Sequence, residues 1–417
     1  MTTAPDVLII GAGLAGLCCA RRLHEAGVSF QLLEASDGVG GRVRTDEHEG
    51  FLLDRGFQVF FTAYPEAQRV LDYAALDLKP FLHGAQVWFA GHFSRVADPW
   101  RVPGQWKIAL RSDVAPLTDK LRLARLRRRL ARTPVDDLFR RPERTAREAI
   151  RAEGFSDLTI RRFFHPLFAG ALLDKELRVS SRLYELAFKM MATGEVCLPA
   201  RGMGAIPAQL AAGLPPGSIR LGARVDALRD NGLSLESGEH LAARAVVVAV
   251  EGPEASRLVG EIPPVASRSV TCFYYAADQP PLAEPILVLN GDGIGTVNNM
   301  AVLSAVAPGY APPGQSLVSV TALGTHNLTD AQLGGFLLAQ LQEWFGPQVR
   351  GWRFLRSYRI PHALPEQLPG SLDPPARPAR IRPGLYVCGD HCASASINGA
   401  MLSGRLAAES LLEDLSR

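Results

Sequence analysis

The sequence lacks any long hydrophobic run: no stretch of about 18 or more consecutive apolar residues occurs in its 417 residues. This absence excludes a membrane-spanning helix. No basic residue precedes the first apolar run, so we do not interpret that run as a secretory signal, and we expect a cytoplasmic protein. With 47% hydrophobic and 21% charged residues, the composition is that of an ordinary globular protein long enough for two domains.

Cysteine is scarce and scattered. The six cysteines are Cys18, Cys19, Cys197, Cys272, Cys388 and Cys392. The last two lie at a suggestive spacing with His391 between them, but no second ligand pair occurs at a spacing usual for metal sites. We therefore predict no metal site and interpret the cysteines as reduced core or lining residues.

The sequence has no large overall charge, but it has a local basic excess. The net charge is +3, whereas residues 101–151 contain 15 Lys and Arg against 6 Asp and Glu. Within this window, residues 117–132 have a helical pattern in which an arginine stripe lies beside a leucine stripe. The arginines are Arg122, Arg125, Arg129 and Arg132, and the leucines are Leu123, Leu126 and Leu130.

Two interpretations of this helix remain open. It packs on a globular domain with a solvated arginine face, or it docks on an anionic membrane surface and makes the protein peripheral on the membrane. No interleaved aromatic residues or nucleic-acid-binding motif accompany the arginines, so we expect no nucleic-acid partner.

The chain is organised around a strand that turns into a helix through glycine, near its start. The apolar run 7–10 stops at Gly11, and Gly13 and Gly16 complete a G-x-G-x-x-G pattern at the start of a helical stretch. The first glycine makes the turn, the second allows backbone N–H groups to approach a pyrophosphate, and the third packs the helix on the strand. Glu34 closes the next apolar run, where a carboxylate binds a ribose diol. The pattern predicts a dinucleotide site.

A second glycine turn follows the acid. Gly40, Gly41 and Arg42 are placed so that a guanidinium returns to the pyrophosphate as a planar donor. The stretch GAGLAGL…LLEASDGVGGRVRT resembles the N-terminal signature of the flavoprotein superfamily of monoamine oxidases, protoporphyrinogen oxidases and carotenoid desaturases and isomerases. This resemblance implies FAD as the cofactor. The FAD-binding residues it implies here are Gly11, Gly13, Gly16, Glu34, Gly41 and Arg42.

The resemblance also implies the architecture. We expect an α/β fold in which a Rossmann-like FAD-binding domain of the glutathione reductase type is interleaved with an α+β substrate domain. The FAD-binding domain is predicted at residues 1–78, 195–258 and 376–417. The substrate domain is predicted at residues 79–194, as a helical part, and 259–375, as a sheet part.

Further cofactor residues are implied in later segments. Gly56, Phe57 and Gln58 follow a predicted strand and are expected along the isoalloxazine, although a strand end with a surface turn is the alternative. Val225 is expected to meet the adenine through backbone atoms. The C-terminal stretch resembles the closing signature of plant-type phytoene and zeta-carotene desaturases. It implies Gly389 and Asp390 at the ribityl and phosphate groups, and Ile397, Asn398 and Ala400 near the ring.

The substrate region is apolar and poor in lysine. Residues 161–206 have too many apolar side chains for a single helix face, which indicates buried helices or the lining of a greasy pocket. His165 is the only histidine there, and we interpret it as structural. The superfamily's amine oxidases usually place a lysine at the flavin and frame the ring with an aromatic pair. This chain has no lysine after Lys189 and no aromatic residue at 395–397, which disfavours amine oxidation.

The predicted function is that of an FAD-dependent oxidoreductase removing hydride from a hydrophobic small molecule, as in a carotenoid or isoprenoid desaturase or isomerase. A protoporphyrinogen-type oxidase, an amine oxidase-like enzyme and an FAD-containing lipid-binding carrier are the alternatives. Arginines available for tetrapyrrole carboxylates would be Arg161, Arg162, Arg356 and Arg359. No catalytic acid or base is assigned, but Tyr358, Arg359 and His391 are candidate pocket neighbours. The sequence does not identify the electron acceptor.

Overall fold

A computed structural model describes residues 5–102 and 104–416 of the chain. The strands are β1 (Val7–Ile10), β2 (Phe30–Leu33), β3 (Thr45–His48), β4 (Phe51–Asp54), β5 (Phe60–Phe61), β6 (Leu78–Pro80), β7 (Gly84–Phe89), β8 (His92–Ala97), β9 (Val196–Pro199), β10 (Ile219–Arg220), β11 (Val225–Arg229), β12 (Gly232–Leu235), β13 (His240–Ala242), β14 (Ala245–Val248), β15 (Ser267–Ala277), β16 (Leu287–Asn290), β17 (Asn299–Val302), β18 (Ser316–Leu323), β19 (Arg353–Pro365), β20 (Arg380–Arg382) and β21 (Leu385–Val387). The α-helices are α1 (Leu14–Glu25), α2 (Pro65–Val70), α3 (Tyr73–Leu76), α4 (Trp106–Arg111), α5 (Leu117–Arg132), α6 (Val135–Arg140), α7 (Ala146–Ala152), α8 (Asp157–Thr159), α9 (His165–Leu172), α10 (Ser181–Thr193), α11 (Ala205–Ala212), α12 (Gly252–Val259), α13 (Leu303–Val306), α14 (Asp330–Phe345) and α15 (Ile397–Leu415).

The first layer is a six-stranded sheet in the order β10-β2-β1-β14-β21-β20, parallel except for β20. The central strand β1 is buried on both faces, which explains its uninterrupted apolar sequence. Val7 and Ile9 belong to the core that includes α1 and α15, while Leu8 and Ile10 face the core formed with α12 and the β11-β12-β13 meander. This parallel sheet confirms the predicted Rossmann-like α/β fold.

The second sheet has seven strands in the order β19-β15-β18-β17-β16-β7-β8 and is antiparallel except where β16 pairs with β7. The alternation of side chains along β15 gives its two faces different roles. Phe273 and Tyr275 pack in the core beneath α14, whereas Cys272 and Tyr274 join the core shared with the first sheet. The second sheet therefore lies between α14 and the first layer.

Helices α5 to α10 form a third layer with their own apolar core. Leu126 and Leu130 of α5 are buried in it, and Leu123 is partly buried against it. The bounds of α5 agree with the predicted helix at residues 117–132. Its leucine stripe faces the protein interior, so this stripe is not the surface that meets a membrane. Among the described residues, no helix has both the length and the apolar character required to cross a bilayer.

Segment 79–194 differs from the sequence prediction, and two further features define the elements beside the site. Segment 79–194 is not only helical, because its hairpin β7-β8 joins the seven-stranded sheet. Residues 219–225 do not form one strand: Gly222, at φ +65°, separates β10 from β11. The strand beginning at Phe51 ends at Asp54, before the turn at Gly56.

Candidate cofactor and substrate site

A continuous cavity of about 820 Å³ lies where the two large sheets and the helical layer meet. Gly11, Glu34 and Gly389 lie just beyond the carboxyl ends of the parallel strands β1, β2 and β21, and all three line the cavity. This edge of an open parallel sheet is the usual position for a dinucleotide. Trp100 and Arg127 line the same cavity.

The three glycines of the first turn have three different environments. A Cβ atom on Gly13 would meet no protein atom within 4 Å, and Gly13 lines the cavity. Gly11 also lines the cavity, and its Cβ would lie 2.8 Å from the carbonyl oxygen of Ala249. Gly16 does not line the cavity: its Cβ would lie 2.0 Å from the carbonyl oxygen of Gly11, so its absence allows α1 to pack on the strand.

The N-terminus of α1 is prepared for an anion. Gly13 is the N-cap residue and offers no capping side chain, and the first turn contains no acidic residue. Leu14 and Ala15 of this turn line the cavity. Unpaired N–H groups and the positive end of the helix dipole therefore face the cavity, where they stabilise negative charge.

The second glycine turn lies directly beside the first. The Gly40 N–H donates to the carbonyl oxygen of Ala12 at 2.8 Å. Arg42 donates through Nη2 to Asp390 Oδ1 at 2.7 Å and through Nη1 to the carbonyl oxygen of Ala363 at 3.0 Å. Burial opposes the charge of the Arg42 guanidinium, but the Asp390 carboxylate outweighs burial and raises the pKa of Arg42. Arg42 is therefore a fixed cation on the cavity wall, beside Gly41.

Glu34 is held at the turn by backbone and side-chain donors. Its Oε2 accepts from the Ala12 N–H at 2.8 Å, and its Oε1 accepts from the Ser36 N–H at 2.9 Å and hydroxyl at 2.7 Å. Val225 does not line the main cavity but lines a smaller one of about 80 Å³, which Glu34 also lines. Arg224, which the sequence analysis missed, lines both cavities.

Four predicted flavin neighbours, Gly56, Phe57, Ile397 and Ala400, line the cavity. Gly56 adopts φ +91°, and a Cβ there would lie 2.7 Å from Ile360 Cδ1, so both its backbone conformation and its surroundings require glycine. Gln58 also lines the cavity, and its Nε2 donates to the carbonyl oxygens of Arg42 at 2.8 Å and Arg55 at 3.1 Å. This amide joins the turn at Gly56 to the one that carries Arg42.

These groups together fit FAD. A free helix N-terminus, a partly buried guanidinium and a glycine with an open Cβ direction face the cavity where a pyrophosphate would lie, and a fixed carboxylate faces it where a ribose would lie. We propose that Gly13 and Arg42 hold the pyrophosphate and that Glu34 binds the adenosine ribose.

Other predicted site residues lie off the cavity. Asn398 accepts from the Glu66 N–H at 3.0 Å and so fastens α15 to α2. The Tyr358 hydroxyl donates to Asp46 Oδ2 at 2.8 Å, and Arg359 pairs with Asp330 at 2.7 Å. None of these three lines the cavity, so the structure does not support a catalytic role for Tyr358 or Arg359.

His391 is buried beside the cofactor turn but is also absent from the cavity lining. Neither ring nitrogen has a hydrogen-bond partner among the described residues. Burial lowers its pKa, so the ring is neutral. The ring lies against Gly389, where a Cβ would be 2.5 Å from its Cε1 and Nδ1 atoms. We interpret His391 as packing behind the turn.

The four arginines considered for tetrapyrrole carboxylates also lie elsewhere. Arg162 stacks over Phe89 at 3.8 Å and donates to the carbonyl oxygen of Asp113. Arg356 lies 3.7 Å from Asp46. Neither these two nor Arg161 and Arg359 line the cavity.

Beyond the flavin region the cavity becomes an apolar chamber. Its apolar lining includes Phe163, Leu167, Leu173, Phe188, Met191, Val270, Leu287, Leu289, Ile360 and Leu364. Two neutral polar residues, Asn299 and Thr321, interact with each other at 3.3 Å on the sheet wall. Of the charged residues that line the cavity, Arg127 donates to Asp98 at 2.8 Å.

Sequence analysis missed two buried residues that shape the site. Asp54 accepts from the Thr45 hydroxyl, the Met203 N–H and the Tyr310 hydroxyl, and burial raises its pKa to about 6. Gln367 accepts from the Ala395 N–H at 2.8 Å and donates to the carbonyl oxygen of Ala393 at 2.5 Å, fixing the loop before α15. Both residues act through partners distant in sequence, so no local pattern indicated them.

Fold and site together define a flavin-dependent oxidoreductase. The sequence model of the family "Flavin containing amine oxidoreductase" matches residues 14–412, and the chain belongs to this family. Its cofactor is FAD, as predicted.

Comparison with individual proteins supports the same family. The chain is 31% identical over 129 residues to a chloroplastic and chromoplastic 15-cis-phytoene desaturase of Narcissus pseudonarcissus, a match covering 28% of this chain and 23% of that relative. The chain thus matches about a quarter of that relative's length.

Solved structures match along the whole chain. The fold is similar to cyclohexylamine oxidase from Brevibacterium oxydans IH-35A, with a TM-score of 0.73 and 18% identity over 99% of this chain and 100% of that one. It is also similar to reduced UDP-galactopyranose mutase, with a TM-score of 0.74 and 18% identity over 98% and 96% of the two chains. At these identities the likeness concerns the fold alone.

Proposed function

We propose that this protein is an FAD-dependent desaturase or isomerase-like enzyme that removes hydride from a long apolar isoprenoid. The observation that carries the proposal is the apolar chamber, which belongs to the same cavity as the flavin turn at Gly56 and as Trp100. The partial likeness to a phytoene desaturase agrees with such a substrate.

The chamber would recognise its substrate through burial. Each methylene transferred from water to such a lining contributes about 0.8 kcal/mol, so a long hydrocarbon binds without a charged partner. Ile360 and Leu364 line the cavity near the flavin turn and would hold a C–H bond against the ring while excluding water. When bound, FAD supplies the two-electron acceptor that receives the hydride.

The chamber wall also separates this proposal from two alternatives. Neither a lysine nor any of the four arginines considered for tetrapyrrole carboxylates lines the cavity. The arginines that do line the cavity are each paired with a carboxylate of the protein, so a tetrapyrrole would leave its own carboxylates without free cationic partners, which is costly in an apolar environment. If the protein were an amine oxidase, it would lack the lysine that the superfamily's amine oxidases usually place at the flavin.

The proposal is tested with the FAD-loaded protein and phytoene dispersed in detergent, without oxygen. We expect bleaching of the flavin absorbance and, after chromatography, a product with a longer polyene absorbance. Bleaching by protoporphyrinogen or by cyclohexylamine instead, with none by phytoene, would contradict the proposal. Tight binding of phytoene without bleaching would indicate the carrier alternative.

A further inference from the structure

We propose that a surface centred on α4 docks on an anionic lipid bilayer. Among the described residues, ten large hydrophobic side chains are exposed, and six of them lie between positions 100 and 121. We call these six the apolar platform: they are Trp100, Trp106, Ile108, Leu110, Leu117 and Leu121. Scattered exposed hydrophobic residues are normal, but a concentration in one short segment marks an interaction surface.

Helix α4 exposes its apolar side chains, which is unusual for a helix that faces water. None of its side chains is buried, although Trp106, Ile108 and Leu110 are all apolar. A helix on a water-soluble protein normally buries an apolar stripe against the core. Lys120 connects α4 to α5 by donating to the carbonyl oxygens of Leu110 at 2.7 Å and Ser112 at 2.5 Å. These two bonds tie the end of α4 to the start of α5, the two helices that carry five of the six platform residues.

The charge around the platform selects the kind of partner. Residues 100–132 contain ten Lys and Arg against two Asp. One of these acids, Asp119, is buried and paired with Arg122. Within the described part of the chain, no carboxylate lies within 4.0 Å of the side-chain nitrogens of Lys107, Arg111 or Arg128. Apolar side chains rimmed by free cations fit the interface of an anionic bilayer.

The platform adjoins the substrate cavity at Trp100. Trp100 is 58% exposed and also lines the cavity. Its ring lies 5.3 Å from the Arg127 guanidinium, which lines the cavity as well and pairs with Asp98. A molecule dissolved in the bilayer would therefore enter the chamber beside Trp100 without crossing water. Only this entry route rests on the proposed function; lipid binding itself does not.

The test is flotation of the FAD-loaded protein with vesicles of phosphatidylcholine, with and without phosphatidylglycerol. We expect flotation with the anionic vesicles and a blue shift of tryptophan emission, both weakened by salt. Leu110→Glu should reduce the bound fraction about tenfold, because it places a charge in the apolar platform. Ile294→Glu is the matched control: Ile294 is 76% exposed and lies outside the platform, so its variant should bind like the wild type.

Both variants should retain FAD and oxidise detergent-dispersed substrate at the wild-type rate, which separates a failure of docking from a failure of the proposed function. Absence of flotation by the wild-type protein, or equal loss in Leu110→Glu and Ile294→Glu, would overturn the proposal. A dimer in sedimentation that Leu110→Glu dissociates, without vesicle binding, would assign the platform to a second copy of the chain and would also overturn it.

Discussion

Arg42 donates to Asp390 across 2.7 Å, joining residues that are 348 positions apart in the chain. One belongs to the turn after β2 and the other to the turn after β21, and the pair lies on the cavity wall. The two cofactor signatures are thus two halves of one site. The site forms only when β2 and β21 have both taken their places in the parallel sheet.

We predict that Arg42→Ala lowers the FAD content of the purified protein at least tenfold. The substitution removes a pyrophosphate partner and leaves Asp390, whose side chain is 6% exposed, as a buried carboxylate without its cation. The measurement is the ratio of flavin to protein absorbance after gel filtration. Arg44→Ala is the control, because Arg44 pairs with the exposed Asp37 and does not line the cavity. Retention of FAD by Arg42→Ala would contradict our assignment of the pyrophosphate.

We predict that Gly13→Ala weakens FAD binding at least tenfold while the apoprotein remains folded. The added methyl group meets no protein atom but projects towards the position assigned to the pyrophosphate. Titration of the apoprotein with FAD measures the effect. In Gly335→Ala, where the methyl group also meets nothing, FAD binding should be unchanged and the α14 helix should gain about 1 kcal/mol. Equal FAD affinities for the two variants would show that Gly13 does not face the cofactor.

We predict that the stability of the folded protein depends on pH through the buried carboxyl group of Asp54. Burial raises its pKa from the ordinary 3.8 to about 6, so the folded protein binds the proton more tightly than the unfolded chain. The stabilisation is fully present below pH about 4 and is lost as pH rises through about 6. A shift of about two units corresponds to about 3 kcal/mol at most.

The measurement is the Tm of wild type and Asp54→Asn between pH 4 and 8. We expect the wild type to lose stability relative to Asp54→Asn as the pH rises. Asp373→Asn, on the surface, should follow the wild type. A constant difference between wild type and Asp54→Asn across the range would mean that Asp54 does not titrate there.

We predict that Leu167→Trp slows turnover of a long apolar substrate at least tenfold without changing FAD content. Leu167 lines the chamber from α9, and a larger ring there occupies part of its volume. Stopped-flow measurement of flavin reduction tests this. Leu338→Trp, on α14 and off the cavity, is similarly half-buried and should react normally. Unchanged reduction in Leu167→Trp would place the substrate elsewhere.

Local patterns predicted the elements best where neighbouring residues alone decide the structure. The helix at residues 117–132 has the predicted bounds, and the strand-turn-helix at Gly11 forms as its glycines indicate. The pairing of β7 with β16 joins segments about 200 residues apart, and nothing in either segment specifies the other. For this reason the sequence prediction places the hairpin at residues 84–97 in the helical part of the substrate domain.

The candidate site was predictable to the same extent. Gly13 and Arg42 were predictable because each belongs to a short sequence motif whose residues bind a pyrophosphate directly. Tyr358 and Arg359 lie near the chamber in sequence, next to Ile360, but their side chains reach Asp46 and Asp330 instead. The direction of a side chain on a long bulged strand depends on its pairing, which is a tertiary property.

The sequence by itself determined the dinucleotide turn and the apolar character of the substrate region, because these follow from local turn chemistry and from composition. FAD and the fold class were implied by the resemblance of its motifs to a flavoprotein superfamily. Tertiary structure alone decided which residues meet around the cavity and which apolar side chains stay outside. The leucine stripe of α5 packs against the helical core, whereas no side chain of α4 is buried by another part of the described chain. Hydrophobic periodicity predicts that one face of a helix or strand is buried, but the packing of elements distant in sequence decides which surface covers that face.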